Sequence, residues 1–296
     1  MAVKSTEQVF LSASGMHERA PAEIAAMFLS AQQSALKSLE AVLPDLIAAS
    51  EVMARVLENG GRFGYAGAGS SGLMAMADAL ELAGTFSIPP ESTPILFAGG
   101  SAALLHMQGS VEDDRGAALH DLETSGLTKG DALVAVSASG TTPYALAVAE
   151  AAKAKDITVI GVANAAETPL LQMADIAIFL NTGAEIVAGS TRLGAATAQK
   201  TALNMISVLA GISLGHVHDG YMVNLTADNM KLVERAIRIV TATTGCDTEC
   251  ARQALALSDG AVKPAILIAL GQSPENAVEA LSKTKGRLGP LLDNNS

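Results

Sequence analysis

Two stretches of this chain share one construction, and together they leave few folds open. Residues 62–67 (RFGYAG) form a short apolar run that enters Gly67-Ala68-Gly69-Ser70-Ser71-Gly72, and residues 132–137 (ALVAVS) enter Ser137-Ala138-Ser139-Gly140-Thr141-Thr142-Pro143. A helical pattern follows each loop, over about 72–83 and over 143–155. A strand, a tight Ser/Gly loop and a helix in that order make half of a parallel βαβ crossover. Further short apolar runs at 94–98, 158–163 and 176–180, with a long helical segment over 195–215, extend the alternation. The expected fold class is α/β: a five-stranded parallel sheet flanked by helices, with right-handed crossovers.

Helical periodicity also covers both flanks. Residues 20–60 read as helix, interrupted at Pro44 and stopped by Gly60-Gly61. A helix over 224–244 is followed by amphipathic segments at 247–258, 262–270 and 274–283, separated by Gly260 and by 271–274. The expected organisation is an N-terminal helical segment (1–60), an α/β domain (61–223), and a C-terminal helix with a small helical lobe (224–296). The tail 291–296 is expected to fray.

Composition narrows the partners. Apolar residues make up 49% of the chain and aromatics 3%, with no Trp, so Ala, Val, Ile, Leu and Met must fill the core. The net charge of −11 argues against a nucleic-acid partner, whose phosphate backbone calls for a basic face. The long uncharged stretches are broken by Ser, Thr, Gly, Asn or Pro, so no membrane partner is expected. The N-terminus has no apolar core of signal-peptide length before its charges. Cys246 and Cys250, four residues apart, lack a nearby His pair and read as free thiols in a reducing cytoplasm. No metal is expected, there being no HExxH and no acidic cluster of magnesium-site form.

The loops carry the chemistry. Glycines let backbone approach a ligand closely, and a following helix offers free N–H groups to an anion. G-A-G-S-S-G also fits the dinucleotide expression, but about twenty residues on stand Pro89, Pro90 and Glu91 rather than an acid closing a second strand, so no cofactor is expected. In the second loop the hydroxyls of Ser137, Ser139 and Thr142 can converge on one phosphate, although any one of them serves equally as a helix cap.

At these residues the chain resembles the sugar isomerase (SIS) superfamily. Within it, Gly67–Gly72, Asp78-Ala79-Leu80-Glu81, Val111-Glu112-Asp113, Ser137–Pro143, Gly183-Ala184-Glu185, Gly189-Ser190-Thr191-Arg192, Ala196-Thr197-Ala198-Gln199-Lys200 and Ala242–Cys246 stand in the order seen in N-acetylmuramic acid 6-phosphate etherases and the related glucokinase regulatory proteins. The resemblance covers roughly 40–285. It implies a phosphorylated amino sugar as partner, held by Gly69, Ser70, Ser71, Ser137, Ser139, Gly140 and Thr142, and a homodimer with sites near the subunit interface. It also implies that Glu81 is the acid assisting sugar-ring opening and Glu112 the base that removes the C2 proton, so that the C3 lactyl ether leaves.

The residues themselves fit two environments for two carboxyls. Glu81, in the apolar run ADALELAG, is expected to be desolvated, with its pKa raised; read alone it is equally an exposed helix position. Glu112, beside Asp113, Asp114 and Arg115, is expected to be polar and charged; read without the resemblance it is sooner a solvated acidic turn. Arg192 and Lys200 are candidates for neutralising substrate charge or for pairing with surface carboxylates. Glu185 is a candidate for a strand end beside the sugar. His216 and His218 read as capping a helix or lining a subunit contact.

The chain departs from the etherase pattern at three usually basic positions, which here are Leu73, Thr141 and Gly194. Three functions follow as alternatives: an etherase-like lyase, an aldose–ketose phosphosugar isomerase using the same base, and a non-catalytic sugar-phosphate sensor.

Overall fold

The computed structural model describes residues 8–225 and 230–292. The elements in chain order are α1 (Pro21–Lys37), α2 (Leu43–Glu58), β1 (Phe63–Gly67), α3 (Gly69–Phe86), β2 (Ile95–Phe97), α4 (Gly100–Leu105), α5 (Arg115–Thr124), β3 (Ala132–Val136), α6 (Pro143–Ala154), β4 (Thr158–Ala163), α7 (Pro169–Met173), β5 (Ile176–Phe179), α8 (Gly194–Ser213), the short strands β6 (Val217–His218) and β7 (Tyr221–Met222), α9 (Met230–Thr244), α10 (Thr248–Leu257), α11 (Val262–Ala269), α12 (Pro274–Lys283) and α13 (Gly289–Leu292). The chain divides into two compact units, 1–80 with 90–207, and 81–89 with 208–296. The division falls within α3 after Leu80 and within α8 after Ser207.

The first unit is the expected α/β body. Its sheet has the order β2-β1-β3-β4-β5, every pair parallel. All residues of β1 and β3 are buried, which explains their unbroken apolar runs: helices cover both faces. On one face Leu96, Leu133 and Ala135 pack with Leu122 of α5, Tyr144 and Val148 of α6, and Leu170 of α7. α2 packs against β1, β3 and β5, burying Leu46 and Met53. A side chain such as Leu133, wholly out of water, contributes about 1.5–3 kcal/mol.

α5 escaped the sequence reading because only Ala118 and Leu122 of its ten residues are buried, leaving no long apolar stripe. Its start is nonetheless marked by Asp114, whose carboxylate accepts from the Ala117 N–H at 2.9 Å. α3 begins three residues earlier than expected, directly on the loop glycine Gly69.

The second unit contains a helical core in which Ala236, Ile237 and Val240 of α9 pack with Ala251 and Leu255 of α10, Val262 and Ile266 of α11, and Ala277 and Leu281 of α12. Of the helix expected over 224–244, Asn224 and Leu225 are not helical and 226–229 lie outside the described residues, as do 1–7 and 293–296. His218 belongs to a β6–β7 hairpin rather than to a helix, and His216 precedes it. Cys246 stands before α10 and Cys250 within it, and neither forms a disulfide. Among the described residues no helix is long and apolar enough to cross a membrane, and no group of three or more His, Cys, Asp or Glu could hold a metal ion.

Candidate functional site

Strand order decides where the two Ser/Gly loops stand. The connection from β1 runs to β2 on one side, while β3 pairs with β1 on the other, so the chain reverses direction across the sheet between β1 and β3. In open α/β sheets ligands bind in the crevice outside the carboxyl ends of the strands at this reversal. The first loop leaves the end of β1 and the second the end of β3, with Gly67 and Val136 in register. The loops are joined directly: the Ala138 N–H donates to Ser71 Oγ at 3.3 Å.

The first loop is built for close approach. A Cβ on Gly67 would come 2.8 Å from the Gly72 α-carbon, and one on Gly72 would come 2.7 Å from the Phe97 ring. Strand and helix therefore touch backbone to backbone, a spacing that only glycine permits at both positions. Gly69 has φ +52°, the left-handed region that side-chain-bearing residues avoid.

In the second loop the three hydroxyls converge as expected. Ser137 Oγ lies 2.8 Å from Thr142 Oγ1 and 3.3 Å from Ser139 Oγ. The Thr141 N–H donates to Ser139 Oγ at 3.2 Å, and the Gly140 N–H closes a turn on the Ser137 carbonyl at 3.0 Å. Thr142 precedes α6 but caps it with no side-chain bond, so its hydroxyl is committed to the cluster. Gly140, at φ +61°, packs against the Thr168 side chain so closely that no Cβ fits.

Glu112 sits against the first loop. It lies in the 3-10 turn Gly109–Asp113, and a Cβ on Gly69 would come 2.6 Å from its Oε1. It is partly buried, and burial, with the Asp113 carboxylate adding to it, raises its pKa above the ordinary glutamate value. Glu81 is exposed, on the part of α3 that belongs to the second unit. The expected environments are thus corrected. ADALELAG winds as a helix whose buried face carries Asp78, Ala79 and Leu82, which turns Glu81 outward.

Asp78 is the buried acid of that run, and the periodicity of α3 would have singled it out. It accepts from Tyr65 Oη at 2.8 Å, Asn204 Nδ2 at 2.6 Å and Ser207 Oγ at 2.9 Å, tying β1, α3 and α8 together. Burial raises its pKa, while these donors and the positive charge of Lys200 oppose the rise.

Glu185 is 4% exposed, and both its oxygens are engaged. Oε2 accepts from the Gly194 N–H and Oε1 from the Ala195 N–H, each at 2.8 Å, so its charge meets the N-terminus of α8. This also accounts for Gly194, where a Cβ would come 3.1 Å from Glu185 Oε2 and 3.2 Å from the Ala35 Cβ. Arg192 and Lys200 are exposed.

Sequence reasoning missed Asn164 and Gln199. Asn164, next to the end of β4, receives the Gln199 Nε2–H at 2.7 Å, and its own N–H donates to the Ala138 carbonyl under the second loop. Gln199 Oε1 is buried without a hydrogen-bond partner among the described residues.

The SIS domain family model matches residues 8–164. The chain is 39% identical to the N-acetylmuramic acid 6-phosphate etherase of Deinococcus radiodurans over 290 residues, 98% of this chain and 95% of that protein. It is 40% identical to the N-acetylmuramic acid 6-phosphate etherase of Photorhabdus laumondii subsp. laumondii over 256 residues, 86% of this chain and 85% of that one. Among solved structures, a phosphoheptose isomerase from Francisella tularensis aligns over 64% of this chain and 95% of its own at 23% identity, with a TM-score of 0.47. The chain belongs to the N-acetylmuramic acid 6-phosphate etherase family of SIS-domain proteins.

Proposed function

We propose that this chain is a carbon–oxygen lyase that cleaves the lactyl ether of N-acetylmuramic acid 6-phosphate, yielding N-acetylglucosamine 6-phosphate and D-lactate. The substrate phosphate lies against Gly69, Ser70 and Ser71 of the first loop and Ser137, Ser139, Gly140 and Thr142 of the second, with N–H groups at the starts of α3 and α6 adding to its field. Glu81 assists opening of the sugar ring. The aldehyde so formed acidifies the C2 proton, Glu112 removes it, and the C3–O bond breaks to release lactate. Water then adds across the resulting double bond. Arg192 and Lys200 contribute positive potential, and Glu185 acts at one remove by fixing the start of α8. No cofactor enters this scheme.

The observation that carries the reading is the placement of Glu112 on Gly69. A carboxylate with a raised pKa is a stronger base than an ordinary glutamate, and here it stands on the phosphate-type loop. The homodimer and the cytoplasm expected from the sequence belong to the same proposal: the first is checked by sedimentation, and the two free thiols fit the second.

Incubation with N-acetylmuramic acid 6-phosphate, followed by an assay for D-lactate, tests the assignment. Release that is lost in Glu112→Gln and in Glu81→Gln supports it. Leu73, Thr141 and Gly194, neutral where the family pattern is basic, favour one second reading, an aldose–ketose isomerase in which the same base moves a C2 proton. Phosphosugar binding without lactate release would turn the assignment to isomerisation, or to sensing if no sugar is converted.

A further inference from the structure

The second unit holds a lysine that the proposed reaction does not use. Lys263, in the first turn of α11, is only 7% exposed. Lysine is almost never this buried unless paired. Among the described residues the Lys263 ammonium makes no ion pair and no hydrogen bond. Its ammonium packs on the backbone of Gly286, where a Cβ would come 3.3 Å from Nζ. It lines a cavity of about 300 Å³ together with Ser87, Asn224, Leu225, Leu281 and Gly286, and no carboxylate is among the lining residues.

Among the described residues the charged group that acts on it has the same sign. Burial, with the charge of Arg287 adding to it, lowers the Lys263 pKa to about 8; Arg287 Nε and Nη2 themselves donate to the Ser213 carbonyl at 3.2 and 2.9 Å. His216 is pressed down to about 4 by burial and by Lys263, and its Nδ1 is buried without a partner among the described residues. The start of α11 adds its positive dipole end. A buried charge is normally paired or met by a counter-ion, and here the described protein groups supply only more positive charge.

We infer that the cavity at Lys263 binds a small oxyanion, a tetrahedral dianion or a carboxylate, at a site separate from the phosphosugar loops. Lys263 is the charge partner, and Ser87 and Asn224, whose Nδ2 also donates to the Phe86 carbonyl at 2.7 Å, lie on the same wall. An anion there favours the protonated lysine, so binding above about pH 8 takes up a proton.

The test uses the full chain with Ser137→Ala and Ser139→Ala, which weakens the phosphosugar loops and leaves the second cavity intact. Calorimetric titration with sulfate, whose charge is constant over the range, and separately with D-lactate, distinguishes the two anion types. The expected result is one bound anion per chain at pH 7. Its affinity falls roughly tenfold per pH unit above about 8, with one proton taken up. Lys263→Met abolishes this binding. Equal uptake by Lys263→Met, or no uptake by the loop variant, overturns the inference. Wild-type crystals soaked in selenate give a reading that needs no variant: anomalous density beside Lys263 is expected, and an empty cavity overturns the site. Because the loop variant is used, failure of the phosphosugar reading leaves these outcomes unchanged.

Discussion

Glu112 and Gly69 occupy each other's space: the carboxylate stands where a side chain on Gly69 would have to go, 2.6 Å from its Cβ position. The glycine thus does two things, adopting φ +52° for the loop and leaving room for the acid above it. Gly69→Ala should displace Glu112 and lower kcat at least a hundredfold. Its stability cost should stay near the 1–2 kcal/mol of a left-handed alanine. Steady-state kinetics beside urea unfolding separate the two effects. Wild-type kcat in this variant would show that the contact is incidental.

Glu112 binds its proton more tightly in the folded chain than in an ordinary peptide. The sign follows: this group's contribution to stability is full below the ordinary glutamate pKa and is lost as pH rises through the raised folded value. Glu112→Gln should therefore abolish lactate release while leaving the Tm at pH 7 unchanged or higher. Asp113→Asn, by removing the lesser cause of the shift, should move the acid limb of kcat/KM to lower pH. Thermal unfolding and a pH–rate profile check these outcomes.

Asp78 accepts three side-chain hydrogen bonds in a buried setting. Asp78→Ala would leave the Tyr65, Asn204 and Ser207 donors without that acceptor, and should destabilise the chain by about 3 kcal/mol or more. Asp78→Asn, which keeps one oxygen, should cost less. Denaturant midpoints measured on both variants test the order.

Ser139 joins its neighbours through hydroxyl contacts and a turn. If it also meets a phosphate, Ser139→Ala loses a hydrogen bond to a charged group, about 1.5–3 kcal/mol. KM for the phosphosugar should rise at least tenfold, with a smaller change in kcat. An unchanged KM would remove Ser139 from the phosphate site.

Glu185 joins the first two N–H groups of α8. Glu185→Ala should destabilise the chain by about 1–2 kcal/mol, in the range of a lost helix cap. Any loss of activity should come with altered folding, and this can be read from circular dichroism melts run beside the assay.

Local order was open to the sequence because it rests on near neighbours. Unbroken apolar runs such as 132–136 announce strands buried on both faces, and Ser/Gly loops followed by Pro143 mark a helix start. The convergence of Ser137, Ser139 and Thr142 was readable for the same reason, since all three lie within one tight turn. Even the parallel sheet follows from the strand–helix alternation, because a crossover helix leaves the next strand running the same way.

What needed the tertiary structure was whatever depends on partners far along the chain. Which strand stands beside β1, and so which two loops meet, is set by packing rather than by any single segment. The settings of the two glutamates stay open in the sequence because burial is decided by neighbours distant along the chain: α3 turns Asp78 inward and Glu81 outward, while the acidic stretch at 112–114 brings Glu112 onto Gly69. Lys263 shows the same principle, since its burial depends on residues such as Gly286, 23 positions on, which lies beside its ammonium. Charge and hydrogen-bonding chemistry are written residue by residue, but the dielectric and the partners that give them their strength are assembled only by the fold.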